Sequence, residues 1–91
     1  MAEPIPDCSI SPHAILEIRR RGIDEDTVRR VLASPEQREA VRPGRDVLQS
    51  RVEFERKTYL VRVVVDVDRS PPEVVTTYRM SKIEKYWRNE P

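Results

Sequence analysis

The stretch TYLVRVVVDVD, residues 58–68, carries the strongest structural signal of the chain, because its hydrophobic side chains recur at every second position. In an extended strand this spacing collects five side chains on one face of a sheet: Tyr59, Val61, Val63, Val65 and Val67. The opposite face is mixed in polarity, with Leu60, Arg62, Val64, Asp66 and Asp68. The stretch therefore predicts a β-strand with one core face and one mixed face.

Turn signals flank this strand on both sides. Upstream, a proline–glycine turn at residues 43–44 separates two short strand segments, and residues 55–57 can close a hairpin into the strand. Downstream, the serine and prolines at 70–72 interrupt the ladder, because proline lacks a backbone N–H. Residues 73–80 then predict a last strand, so we expect a meandering antiparallel sheet of four strands.

Before residue 36 the hydrophobic period changes to about 3.6, which is typical of helices. Ser11 has the features of an N-cap followed by proline at the first helical position, and predicts a helix over 12–21 that ends at Gly22. Asp24 is a second N-cap, with acidic residues in the turn that follows. It predicts a short second helix that stops at the Ser-Pro pair, residues 34–35.

The expected order is α-α-β-β-β-β-α, because residues after Ser81 predict a short C-terminal helix with Tyr86 and Trp87 on its apolar side. The fold class is α+β, with two N-terminal helices packed on a twisted antiparallel sheet. Residues 1–10 contain two prolines and are expected to form a flexible N-terminal arm. Residues 11–91 are expected to form a single domain.

Composition favours a small soluble protein of the cytoplasm. The chain has 91 residues and a formal net charge of +1. It therefore lacks the basic excess that is usual in nucleic-acid-binding proteins. Arginine clusters can still bind phosphate locally. Cys8 is the single cysteine, so an internal disulfide or a cysteine-based zinc site is not expected. No apolar run approaches the ~20 residues of a membrane span. We expect no metal, no cofactor and no membrane association.

The single histidine, His13, lies in the first turn of the first predicted helix. An imidazole, with an unperturbed pKa of about 6.5, is a natural proton carrier near neutral pH. A lone histidine next to a proline is more often a surface or packing residue. Both interpretations stay open.

The segment VVTTYRMSKIEKYW, residues 74–87, is unusually polar for the end of a strand. Metal-free RNA cleavage needs a base, an acid and cations, and His, Tyr, Lys and Arg side chains meet those needs. By alternation Thr77 and Arg79 share one face, which we expect to be a cleft facing away from the helices, while Tyr78 points to the core. The alternative is a purely structural strand end, with Arg79 paired to an aspartate across the ladder.

Three motifs carry a resemblance to a known family: His13, the helix end at residues 21–23 and the strand at residues 76–79. Together with the runs 11–36 and 60–87, they resemble the uncharacterised DUF4258 family. That family is similar in layout to the BrnT and RelE/ParE toxins of bacterial toxin–antitoxin pairs. The resemblance covers nearly the whole chain after residue 10.

The resemblance implies a metal-independent endoribonuclease site on or beside the sheet, with a small antitoxin that covers it. Carried over by position, His13 is the proton carrier or phosphate contact, Arg79 clamps the phosphate, and Thr77 or Tyr78 positions or deprotonates the ribose hydroxyl. Further residues expected to bind RNA phosphates are Arg20, Arg21, Arg62 and Lys82. Tyr86 and Trp87 are the expected partner-binding residues. The protein is expected to be a monomer or a weak homodimer.

Two other functions stay open at this point. One is a non-catalytic protein of the same fold that binds a partner or a regulator, and the other is inhibition of a topoisomerase, as in some ParE relatives. The net charge of +1 argues against wide contact with RNA or the ribosome. One geometric criterion bears on the nuclease hypothesis: His13 and Arg79 should share a pocket, and the hypothesis fails if they lie on opposite sides of the sheet.

Overall fold

The computed structural model describes residues 2–89. Its elements are β1 (Ser9–Ile10), α1 (Pro12–Arg20), α2 (Glu25–Ala33), β2 (Gln37–Arg42), β3 (Arg45–Phe54), β4 (Lys57–Asp66), β5 (Glu73–Met80) and a 3-10 turn at Ile83–Lys85. The five strands form one mixed sheet in the order β1-β5-β4-β3-β2. Within residues 2–89, no helix is both long and apolar enough to span a bilayer.

Both N-terminal helices begin at the predicted caps. The Ser11 hydroxyl accepts a hydrogen bond from the Ala14 N–H at 3.0 Å, and Pro12 opens the helix. The Asp24 carboxylate accepts hydrogen bonds from both the backbone N–H and the hydroxyl of Thr27, each at 2.7 Å. These local bonds satisfy the free N–H groups of the first turn, so the predicted α+β class with two N-terminal helices is confirmed.

The core lies between the two helices and one face of the sheet. The helices and the link between them bury Ala14, Ile18, Ile23, Val28, Val31 and Leu32, and the strands bury Leu48, Val61, Val63, Val65 and Val74. Three of these valines come from β4, which pairs antiparallel with β3 on one side and β5 on the other. The predicted core face of β4 is therefore confirmed for Val61, Val63 and Val65.

The sheet is not purely antiparallel, and the predicted order lacks its first strand. Ser9 and Ile10 pair in parallel with Glu73 and Val74 of β5. A strand of two residues has no alternation from which it could be recognised, so only its tertiary partner defines it. The segment before it lies against the domain: the Ile5 N–H donates to the Leu32 carbonyl at 2.9 Å, and Cys8 is buried.

The predicted C-terminal helix is replaced by a single 3-10 turn over Ile83–Lys85. The N–H groups of Tyr86 and Trp87 both donate to the Ile83 carbonyl, and the chain then leaves the helical path. A helix this short is unstable, because its few hydrogen bonds do not offset the unfavourable free energy of helix nucleation. The residues that follow are held by side chains of the sheet instead, on the face opposite the helices.

The prediction that Thr77 and Arg79 face away from the helices, with Tyr78 in the core, is wrong. Thr77 pairs with Val63 and is fully buried on the helix side, whereas Tyr78 pairs with Arg62 on the other face. The cause is a bulge: Val65 pairs with Val74, but the next partners are Val64 and Thr76, so Val75 is an extra residue. One extra residue exchanges the two faces for Thr77, Tyr78 and Arg79.

The β3–β4 turn is strained, because Glu55 and Arg56 both adopt positive φ, at 48° and 70°. We expect Arg56→Gly to raise the free energy of unfolding by about 1 kcal/mol, since glycine adopts this conformation without a steric penalty. Urea denaturation followed by circular dichroism measures the change.

Gly44→Ala is the matched substitution with the opposite expected effect on stability, because it adds a Cβ at a position of positive φ. Gly44 has φ of 82°, and an added Cβ would lie 2.6 Å from an Asp68 carboxylate oxygen. We expect a loss of at least about 1 kcal/mol there, mainly from the backbone conformation. Equal stability of Arg56→Gly and the wild type would show that the β3–β4 turn stores no strain.

Candidate functional site

A row of charged side chains runs along α1 where the helix lies beside β5. His13, Glu17 and Arg21 are spaced four residues apart, which places them on one face of the helix. The Glu17 carboxylate lies 3.4 Å from His13 Nε2 and 3.3 Å from an Arg21 guanidinium nitrogen. Its second oxygen accepts a hydrogen bond from the Thr76 hydroxyl at 2.5 Å. We call these four residues the Glu17 cluster.

The cluster is anchored to the sheet by Arg21 as well as by Thr76. The Arg21 guanidinium donates to the Thr77 carbonyl at 2.7 Å, and so bonds the end of α1 to the backbone of β5. One nitrogen of the Arg21 guanidinium thus contacts the Glu17 carboxylate, and the other donates to the Thr77 carbonyl. Tertiary contacts therefore fix the side-chain positions of Glu17 and Arg21.

Hydrogen bonding keeps Glu17 ionised. The Thr76 hydroxyl is the main cause of a lowered Glu17 pKa, and the charges of Arg21, His13 and Arg20 lower it further, while burial opposes them. The Glu17 side chain is 16% exposed, whereas the His13 side chain is 75% exposed. The cluster thus presents an accessible imidazole next to a carboxylate that is anionic at neutral pH.

Arg79 belongs to a different part of the surface. Its guanidinium carbon lies 4.6 Å from the Phe54 ring centroid and 4.8 Å from the Tyr59 ring centroid. It lines an open cleft of about 430 Å³ together with Tyr59, Met80, Ser81, Lys82 and Lys85. Three cations and an aromatic ring are the groups that bind single-stranded nucleic acid, through phosphates and stacked bases. We call this the Arg79 cleft.

His13 and Arg79 lie on the helix side of the sheet, but they do not share a pocket. Gly22 follows α1 and is adjacent to Arg79, because a Cβ on Gly22 would lie 3.5 Å from the Arg79 guanidinium. His13 precedes Gly22 by nine residues, which along a helix corresponds to about 13 Å. The criterion of a common pocket is therefore not met, although the two residues are not on opposite sides of the sheet.

Two of the predicted catalytic residues lie away from His13. Thr77 is fully buried, so its hydroxyl cannot contact a substrate at the surface. Tyr78 is on the face opposite the helices, where its hydroxyl accepts a hydrogen bond from the Arg62 guanidinium at 2.9 Å. Neither residue can act on a ribose that is bound next to His13. Both residues lie outside the candidate site.

The predicted phosphate-binding residues also lie at different places in the structure. Arg21 is in the Glu17 cluster, Arg20 is exposed at the end of α1, and Lys82 lines the Arg79 cleft. Arg62 is buried instead, because the ring of Tyr86 stacks on its guanidinium at 4.2 Å. Trp87 stacks in the same way on Arg51, so both predicted partner-binding aromatics are engaged within the chain.

Glu17 is the functional candidate that sequence reasoning missed. Its signal was present, since it lies four residues after His13 and four before Arg21 within a predicted helix. The bond to Thr76, by contrast, joins residues 59 positions apart and follows from the packing of α1 on β5. Within residues 2–89, no set of three His, Cys, Asp or Glu side chains is arranged to hold a metal ion.

The architecture defines an α+β domain in which two helices cover one face of a five-stranded sheet. The chain belongs to the family described as a domain of unknown function, DUF4258, whose model matches residues 10–79. The match contains the Glu17 cluster and ends at Arg79, so Lys82, Lys85 and the C-terminal residues follow it. No curated protein and no solved structure matches the chain.

We expect Glu17→Gln to lower the melting temperature at pH 7 by about 4 °C, equivalent to about 1 kcal/mol for a domain of this size. The folded-state pKa of Glu17 lies below its ordinary value. The carboxylate therefore stabilises the fold above the ordinary pKa, and this contribution is lost as the pH falls through the folded-state pKa.

The difference between wild type and Glu17→Gln should accordingly shrink as the pH falls from 7 to 3, in melts followed by circular dichroism. Glu53→Gln is the matched control, because Glu53 is exposed on β3. A difference that stays constant over this pH range would contradict the assigned role of the Glu17 carboxylate.

Proposed function

We propose that this protein is a metal-independent endoribonuclease whose reaction centre is the Glu17 cluster. The observation that supports the proposal is the position of the Glu17 carboxylate, within 3.4 Å of both an exposed imidazole and a guanidinium. A carboxylate, an imidazole and a guanidinium supply a base, an acid and an anion-binding group, which is the set that transfer of a phosphodiester to a neighbouring hydroxyl requires.

In the proposed reaction Glu17 accepts the proton of a ribose 2′-hydroxyl. The 2′-oxygen attacks the adjacent phosphorus, the bond from phosphorus to the 5′-oxygen breaks, and protonated His13 donates its proton to that oxygen. The products are a 2′,3′-cyclic phosphate and a free 5′-hydroxyl. Arg21 stabilises the charge on the non-bridging oxygens during the transfer.

We propose that the Arg79 cleft binds a part of the RNA chain that flanks the phosphate that reacts. Arg79 and Lys82 then contact flanking phosphates rather than the phosphate that reacts, and Lys85 is a further cation of the same cleft. A flanking base can stack on the Tyr59 ring. Local contacts of this kind suit a protein with a net charge of +1, because few phosphates need to be bound.

The biological setting that we propose is a cytoplasmic toxin of a two-protein module, similar in layout to BrnT and RelE. A small partner protein would then cover the Glu17 cluster and block access of RNA to His13. The exposure of His13, at 75% of its side chain, supports this part of the proposal, because a partner can reach it directly.

Cleavage of a labelled single-stranded RNA in the presence of EDTA tests the proposed function. We expect the wild type to cut the RNA and Glu17→Gln, His13→Ala and Arg21→Ala each to reduce the rate by about 10²–10⁴-fold. A 2′-deoxy substitution at the cut site should abolish cleavage, because the nucleophile is then missing.

Glu53→Gln is the control for this assay too, since it removes an exposed carboxylate far along the sequence from the cluster. Circular dichroism melts establish that each variant is folded. The proposal fails if the wild type leaves RNA intact at micromolar concentration, or if Glu17→Gln and His13→Ala cut as fast as the wild type.

The Arg79 cleft has its own test. Lys82→Gln and Lys85→Gln change exposed side chains, and each should weaken binding of a non-cleavable 2′-deoxy oligonucleotide by about 3–10-fold at low salt. Neither change should alter kcat for a cleavable RNA. The slope of log Kd against log salt should fall by about 1 for each lost contact. Arg42→Gln, at the β2–β3 turn, should leave the affinity unchanged. Equal effects of the three variants would contradict binding in the cleft.

A further inference from the structure

Residues 86–88, which we call the C-terminal segment, contact the outer face of the sheet, which is the face opposite the helices. The segment is joined to the sheet through side chains of β2, β3 and β4 rather than by a strand ladder. The residues of the hydrophobic core lie between Cys8 and Val74, and the family match ends at residue 79. The segment therefore contributes no residue to the hydrophobic core.

Two glutamines of the outer face bind the backbone of this segment. The Gln37 carboxamide exchanges two hydrogen bonds with Arg88: its Nε2 donates to the Arg88 carbonyl at 2.5 Å, and the Arg88 N–H donates to its Oε1 at 3.1 Å. Gln49 Nε2 donates to the Tyr86 carbonyl at 3.1 Å. Bonds to main-chain atoms recognise an extended peptide whatever its side chains are.

Three charged residues of the same face bind the side chains of the segment in turn. The Arg62 guanidinium stacks on the Tyr86 ring at 4.2 Å, and the Arg51 guanidinium stacks on the Trp87 ring at 4.2 Å. The Glu39 carboxylate accepts a hydrogen bond from the guanidinium of the next residue, Arg88, at 2.7 Å. The face therefore matches an aromatic, a second aromatic and a basic side chain in sequence.

The fit between this face and the chain's own segment is incomplete at one place. Arg62 is 7% exposed and Gln49 is 1% exposed, and they are direct partners in the β3–β4 ladder. Arg62 Nε and Gln49 Oε1 have no hydrogen-bond partner among residues 2–89. A ligand group that both donates and accepts, such as a carboxamide or a hydroxyl, can bond to both atoms.

We propose that the outer face is a peptide-recognition surface that the C-terminal segment occupies in cis. The partner that fits it is an extended segment of another protein, with two aromatic residues followed by a basic one and a carboxamide or hydroxyl side chain close by. The tethered segment competes at an effective concentration in the millimolar range, so the free face is exposed only when the segment is displaced. None of these residues belongs to the Glu17 cluster, and the inference stands independently of the proposed ribonuclease.

The test uses the full chain with Tyr86→Ser and Trp87→Ser together, which releases the segment and leaves the face unchanged. The probe is a fluorescein-labelled peptide with the sequence KIEKYWRN of residues 82–89. Fluorescence anisotropy should show at least about tenfold tighter binding to this double variant than to the wild type. Adding Gln37→Ala to the double variant should remove the gain, and a peptide with serine at both aromatic positions should not bind.

A second measurement covers the case in which the double variant does not fold. Trp87 is the only tryptophan in the chain, so its emission reports directly on docking of the segment. Gln37→Ala in the otherwise native chain should shift this emission to longer wavelength and lower its anisotropy.

Three results would overturn the proposal. They are equal peptide affinity for wild type and double variant, unchanged Trp87 emission in Gln37→Ala, and a gain in binding of a labelled oligouridylate without any gain for the peptide. The last result would identify the released face as a nucleic-acid surface.

Discussion

The structure depends on the central strand β4, which has to bury both of its faces in a chain of only 91 residues. Its valines at 61, 63 and 65 need an apolar cover, and the two helices provide it. Its other face carries Arg62, a cation that is costly to bury without partners. The partners of Arg62 are Tyr78, Tyr86 and Glu39. Tyr86 of the C-terminal segment therefore helps to cover the outer face of β4, as the helices cover its other face.

The bulge at Val75 distributes the polar end of β5 between these two sides. It directs Thr77 into the core and places Arg79 against Phe54 and Tyr59, while Tyr78 joins Arg62 on the outer face. Residues that are neighbours in sequence therefore serve different surfaces. The side chains of residues 77–79 cannot all line one catalytic site, because they lie on different faces of the sheet. The proposed reaction centre lies instead on α1, where helical spacing brings His13, Glu17 and Arg21 together.

Short-range hydrogen bonds and ion pairs accommodate the many charges of the chain, which has 17 Lys and Arg residues and 16 Asp and Glu residues. Hydrogen bonds from Thr76, Thr27, Arg51 and Arg45 are the main causes of lowered pKa values for Glu17, Asp24, Glu36 and Asp66. Each of these carboxylates stabilises the folded state while it is ionised, and the stabilisation is lost as the pH falls through its folded-state pKa. Cations of the Arg79 cleft, such as Lys82 and Lys85, stay exposed at the protein surface.

Features that depend on near neighbours along the chain could be predicted from the sequence. The caps at Ser11 and Asp24, the core valines 61, 63 and 65 of β4, the turn at 43–44 and the DUF4258 resemblance were all predicted and confirmed. Four features depend on tertiary contacts and could not be predicted: the parallel strand β1, the bulge at Val75, the absence of a C-terminal α-helix and the bond from Thr76 to Glu17. Caps and periodicity arise from atoms within a few residues, whereas register and face assignment depend on partners that are distant in sequence and meet only when the core packs.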